Sequence, residues 1–200
     1  MDYKEIFEYL KQSESFPNDA YKPEIFENFE LKGTLTEESD RGCALMAVSY
    51  IEIELGEFIS SYFVRDDKLN KRLFSGFGPL SSFSSKIDIA YSIGLIPKLM
   101  HRDLHILRKI RNEFAHDPGK FGFEKSAIGD KCRELYYDAI KNLDQSPRRI
   151  FERCAVAIAL YIRAAKSEIE QIDRKEDINM ESLFKKMIDM VSEIADKKIT

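Results

Sequence analysis

The segment from His101 to His116 holds all three histidines of the chain, together with Arg102, Arg108, Arg111 and Asn112. On a helix, at about 100° per residue, His101, His105, Arg108, Asn112 and His116 fall within an arc of about 80°. Leu107, Ile110 and Phe114 cluster on the opposite side and mark the face a core would take. Arg111 is five residues before His116, about 140° round the helix and nearer the core edge. The chemistry such a set suits is phosphodiester cleavage in RNA, or the binding of a phosphate. An imidazole can take the proton from a 2′-hydroxyl, a guanidinium can stabilise phosphate charge, and an asparagine can orient either group. The candidate catalytic pair is Arg111 and His116, with Asn112, Arg108 and His105 as supporting or phosphate-binding groups.

A structural reading stands beside the chemical one. A histidine at a helix C-terminus interacts favourably with the helix dipole. An arginine at a core edge pairs with a carboxylate, for which Asp40, Asp88 and Asp103 are candidates. His101 and His105 have the spacing of metal ligands, but no Glu lies between them to act as a general base. The expectation is two exposed histidines, with no metal and no cofactor.

The elements that must carry this segment are helical, since period-two alternation is nearly absent. The pattern predicts short helices at 2–12 and 23–29, with a break at Gly33 and Thr34. A long helix is expected from an N-cap at Thr36 to Val64, followed by a short segment at 66–74 and a turn at Gly76-Phe-Gly-Pro79. Helices follow over 80–92 and 97–116, then a loop over 117–127 pinned by Phe121 and Phe123. Further helices are expected at 128–140, from Ser146-Pro147 to Asp173, and at 178–197. Two segments, Cys43–Val48 and Cys154–Ile162, are apolar all round and predict the central helices. The fold expected is an all-α, single-domain helical bundle over 1–200. Its short N-terminal helices occupy 1–35, its core 36–174, and its C-terminal helix 177–200.

Bulk composition narrows the function. Thirty-one Lys+Arg against 35 Asp+Glu give a net charge of -4 and a pI near 5.6. That balance argues against tight duplex binding, which profits from a basic face that releases counterions. The longest apolar run, Cys154–Ile162, is about half of what a bilayer requires, so no membrane association is expected. Three scattered cysteines and an N-terminus without an apolar signal segment lead to the expectation of a reduced, cytoplasmic protein.

Two resemblances bear on these residues. Arg111-Asn112-x-x-x-His116 looks like the Arg-x4-6-His motif of the HEPN superfamily. That likeness implies a HEPN-like helical fold and, as one alternative, a metal-independent dimeric ribonuclease of the toxin or defence type. A longer resemblance is to the mannitol-operon repressor family. It is carried by Glu38–Gly42, Gly78–Ile87, Ala90-Tyr91, Gly94–Ile96, Asp103-Leu104 and Ile110–His116, in order. It implies a transcriptional regulator. No helix-turn-helix with a basic recognition helix is legible, so such a regulator is expected to act through a protein partner or through RNA. The same resemblance, with the apolar stripe of the last helix, implies a homodimer.

Lesser features carry structural expectations. Gly76-x-Gly78 before a serine-rich helix start is read as a turn, although its backbone N–H groups could meet an anion. Arg148, Arg149 and Arg153 are expected on a solvated face. The three cysteines are expected to be inert, and the methionines near the last helix (Met180, Met187, Met190) to serve packing.

Overall fold

The computed structural model describes residues 23–116, 119, 121–138 and 145–197, with side chains from Glu30 to Ser192. The helix expected at 2–12 lies outside these residues. All regular structure among them is helical: α1 (Pro23–Glu37), α2 (Asp40–Tyr62), α3 (Asp67–Phe74), α4 (Phe83–Ser92), α5 (Lys98–His116), α6 (Ser126–Arg133), α7 (Pro147–Glu168) and α8 (Met180–Lys197).

The expected break at Gly33 is absent, because α1 continues to Glu37. A helical glycine costs about 1 kcal/mol, but continuing the helix places Leu35 wholly inside the core, worth about 1.5–3 kcal/mol. The Thr36 hydroxyl therefore bonds back to the Lys32 carbonyl within α1, and Ser39 caps α2 by accepting from the Gly42 N–H at 3.0 Å.

The expected central pair is present. α2 and α7 make the most extensive helix contact, and both bury a run of small and branched side chains, Ala44, Ala47, Val48 and Ile51 on α2 and Ala155, Ile158 and Ala159 on α7. Neither helix is buried all round: Met46, Leu160 and Tyr161 reach solvent. α1 and α6 flank α7, α5 packs on α2, and α4 lies across both α2 and α5.

Buried carboxylates explain two helix ends that periodicity missed. Asp103 on α5 is fully buried and accepts from the backbone N–H groups of Tyr136 and Tyr137 at 2.7 and 2.9 Å. This draws the chain out of helix after Arg133, so the helix expected over 128–140 is Ser126–Arg133. Glu152 on α7 accepts from Lys32, Arg148 and Arg149 at 2.6, 2.9 and 2.7 Å. Arg148 also donates to the carbonyls of Leu35 and Glu38, satisfying groups the end of α1 leaves open. Arg153 pairs with Asp138. These three arginines form structural ion pairs, not the solvated face expected for them.

α7 ends at Glu168, not Asp173, because the chain beyond it turns to α2: the Ile172 N–H reaches the Tyr62 carbonyl at 2.9 Å, and Gln171 donates to the Phe63 carbonyl at 2.8 Å. The methionine stripe of α8, expected to pack, faces solvent: Met180, Met187 and Met190 are each at least half exposed.

Candidate functional site

α5 ends where an aromatic stack holds it. Phe114 packs on Phe121 and Phe123 at ring distances of 5.2 and 5.0 Å, and Phe123 packs on Phe151 at 5.0 Å. Each such pair is worth about 0.5–1.5 kcal/mol beyond burial. Asp40 fixes the same loop by accepting from the Phe123 N–H at 3.0 Å. The loop is pinned by its phenylalanines as expected. The last turn of α5, with Asn112 and His116, is thereby held against the core.

The solvent-facing side of α5 is basic. Its sequence holds Lys98, Arg102, Arg108, Lys109 and Arg111 against Asp103 and Glu113. Asp103 is buried and pairs with Arg102 at 2.9 Å, and Glu113 pairs with Lys131 of α6. Among the described residues Lys98, Arg108 and Lys109 have no carboxylate partner, so a cationic strip runs along one helix of an acidic chain.

Within this strip the expected residues do not converge. Arg111 turns toward α2, where its Nη2 lies 3.9 Å from Glu52 Oε2. Lys86 of α4 shares the same carboxylate at 3.1 Å. Glu52 is thus the partner of Arg111, in place of Asp40, Asp88 or Asp103. His116 is exposed, and among the described residues no hydrogen bond or ion pair joins Arg111, Asn112 and His116. Arg108 and Arg111 each bury the Nε atom without a hydrogen-bond partner. Unsatisfied buried donors of this kind cost about 1–3 kcal/mol each.

At the other end of the strip the structure makes a cluster. Asp88 Oδ1 accepts from His101 Nε2 and from His105 Nε2, both at 2.9 Å. These hydrogen bonds hold the Asp88 carboxyl below its usual range. The His101 ring stacks obliquely on Tyr91 at 4.8 Å and meets the His105 ring edge-on at 4.7 Å. The two histidines are half-buried, not fully exposed. Glu52, Lys86 and Asp88 were not legible as site residues. They belong to other helices, and no spacing along the chain announces that α4 will cross α5 between them.

The remaining candidates are structural. The N–H groups of Gly78 and Leu80 donate to the carbonyls of Ser75 and Leu73, so they do not face an anion. A side chain on Gly78 would meet the Arg72 and Leu73 carbonyl oxygens well inside contact distance. Burial pushes the thiols of Cys43 and Cys132 up to about 12 and that of Cys154 well above its ordinary value, so none is a nucleophile at neutral pH.

Fold and site together define a class: an all-α bundle presenting a cationic, histidine-bearing helix, without an assembled catalytic centre among the described residues. The chain belongs to the mannitol repressor family, whose model matches residues 27–153. It is similar to the mannitol operon repressor of Escherichia coli (strain K12), 26% identical over 117 residues, which is 56% of this chain and 60% of that protein. The mannitol operon repressor of Escherichia coli O6:H1 matches to the same extent. The match thus spans about three fifths of the length of these curated relatives. Among solved structures, the fold is similar to a chain in the X-ray structure of the MtlR-HPr complex from Escherichia coli. The TM-score is 0.57 at 21% identity, covering 69% of this chain and 98% of that one. Among the described residues, no helix is long and apolar enough to cross a membrane.

Proposed function

We propose that this protein is a cytoplasmic transcriptional regulator that works by docking a partner protein on α5 and does not grip DNA itself. The observation that carries the reading is the positive charge on the outer side of α5, where the exposed Lys98 and Lys109 and the half-buried Arg108 lie. An acidic or phosphate-bearing partner surface complements that charge. The solved relative, MtlR in complex with HPr, supports a protein as that partner, and an HPr-type protein is the first to test. Buried, unpaired thiols suit a reducing compartment. The ribonuclease alternative rests on the short Arg-Asn-x-x-x-His motif alone, and Arg111 is drawn to Glu52 and away from a shared centre with His116. RNA as a partner has no further support.

The test is calorimetric titration of the full chain with HPr from the same organism, for the wild type and for Arg108→Glu and Arg111→Glu. Saturable binding weakened at least tenfold by either reversal is expected, about 1.4 kcal/mol or more. Undiminished binding in both variants overturns α5 as the docking face. Nanomolar, operator-specific mobility shift by the purified chain at physiological salt overturns the partner-dependent reading.

We also infer a homodimer joined through α8. Every described side chain from Met180 to Ser192 is exposed, including Leu183, Phe184, Met187, Ile188 and Val191. An apolar helical stripe left in water is a strong drive for association.

A further inference from the structure

We propose that Asp88, His101 and His105 form a binding site for a divalent transition-metal ion of the zinc class, bridging α4 and α5. The three donor atoms already lie within 4.8 Å of one another. Both Nε2 atoms are 2.9 Å from Asp88 Oδ1. An ion bound tetrahedrally by imidazole and carboxylate at about 2.0–2.2 Å sets neighbouring donors about 3.4 Å apart, so each Asp88–His pair opens by about half an ångström and the two imidazole nitrogens, now within 4.8 Å, draw in by up to about 1.4 Å, which rotation of the side chains supplies.

The donors are preorganised. His101 and His105 are one helical turn apart on the same face of α5, and Asp88 approaches from α4 across them. The stacking of Tyr91 on His101, and of His101 against His105, restricts both rings. The Asp88 side chain is 59% exposed, so coordination positions remain open on the solvent side. This is the pattern of three protein ligands plus water, not a closed structural site.

The donor set selects the ion. Two imidazole nitrogens suit zinc, nickel, cobalt and copper and do not suit the hard cations magnesium and calcium. On binding, each neutral imidazole gives its Nε2 lone pair to the ion and carries its proton on Nδ1. The carboxylate exchanges two hydrogen bonds for one metal bond. Among the described residues there is no rival soft site: His116 has no ligating neighbour there, and the three cysteines are buried. The inference is independent of the docking reading, since it needs no partner.

The experiment is titration of the chelator-stripped full chain with Zn2+, read by calorimetry, by thermal unfolding and by imidazole NMR. One ion per chain is expected, with a Tm rise of about 5–10 °C at a hundredfold excess over Kd. His101→Ala and His105→Ala should each weaken binding at least tenfold, His116→Ala should leave it unchanged, and Mg2+ should have no effect. The wild type alone also decides: the His101 and His105 ring resonances should move with Zn2+ while those of His116 stay. Absence of stoichiometric binding, binding that survives both alanine variants, or shifts confined to His116 overturns the site and leaves a hydrogen-bonded cluster only.

Discussion

Replacing Glu152 by Gln tests whether buried charge holds α1 and α7 together. The Glu152 side chain is wholly buried and faces Lys32, Arg148 and Arg149, whose side chains are 14, 25 and 38% exposed. Breaking a buried ion pair costs about 3–5 kcal/mol because a charge is left without its partner. Here the stranded charges are the cations, and the arginines recover part of their hydration, which places the loss near the lower end, about 3 kcal/mol. For a chain of this size that corresponds to a Tm lowered by about 6–12 °C. The pH dependence gives a second reading. Burial alone would raise the Glu152 carboxyl above its ordinary 4.5, but the three cationic hydrogen bonds outweigh burial and hold it below. A depressed carboxylate contributes stability that is complete above its unfolded value and disappears as pH falls through its folded value. The gap between wild type and Glu152→Gln, measured by urea unfolding, should be constant from neutral pH to about 5 and narrow steadily as pH falls below about 4.5 toward the folded value. A gap under about 1 kcal/mol at neutral pH, or one that does not narrow as pH falls below about 4.5, refutes the reasoning.

Two further outcomes are expected. Gly78→Ala should destabilise the chain by about 1–3 kcal/mol in thermal unfolding, since its Cβ would overlap two backbone carbonyls that cannot swing away. Light scattering at micromolar concentration should give a mass near twice 23.2 kDa, falling to the single-chain mass in Leu183→Asp/Ile188→Asp, whose side chains lie on the exposed α8 stripe.

Much of the fold was legible because it depends on local rules. The apolar runs at 43–48 and 154–162 identified α2 and α7 as the central helices, since a helix with so much apolar surface must have neighbours. Pro147 opened α7 where a fixed φ favours the first helical turn. Phe121 and Phe123 read correctly as anchors, because aromatic side chains in a polar loop need burial. The blocks from Glu38 to His116 led to the right family, since a long ordered match carries far more information than one short motif.

What the tertiary structure alone decided is which charge meets which. The chain placed Arg111 at a core edge, yet its partner is Glu52 on α2, which no spacing identifies. Asp88 joined His101 and His105 because α4 crosses α5 at that height, and such a crossing depends on the packing of Ile87 and Ala90 in the core. Arg148, Arg149 and Arg153 looked like a solvated cluster until Glu152 and Asp138 were brought to them. Periodicity reports which face of a helix avoids water, and it does so from sequence alone. Ion pairs are set by the register of one helix on another, a sum of many side-chain contacts that the chain resolves only on folding. For α8 the apolar stripe predicted a helix that one bundle would not fully cover, and the tertiary structure decided how far: its described length from Met180 to Ser192 faces solvent, because no neighbouring helix lies across it among the described residues.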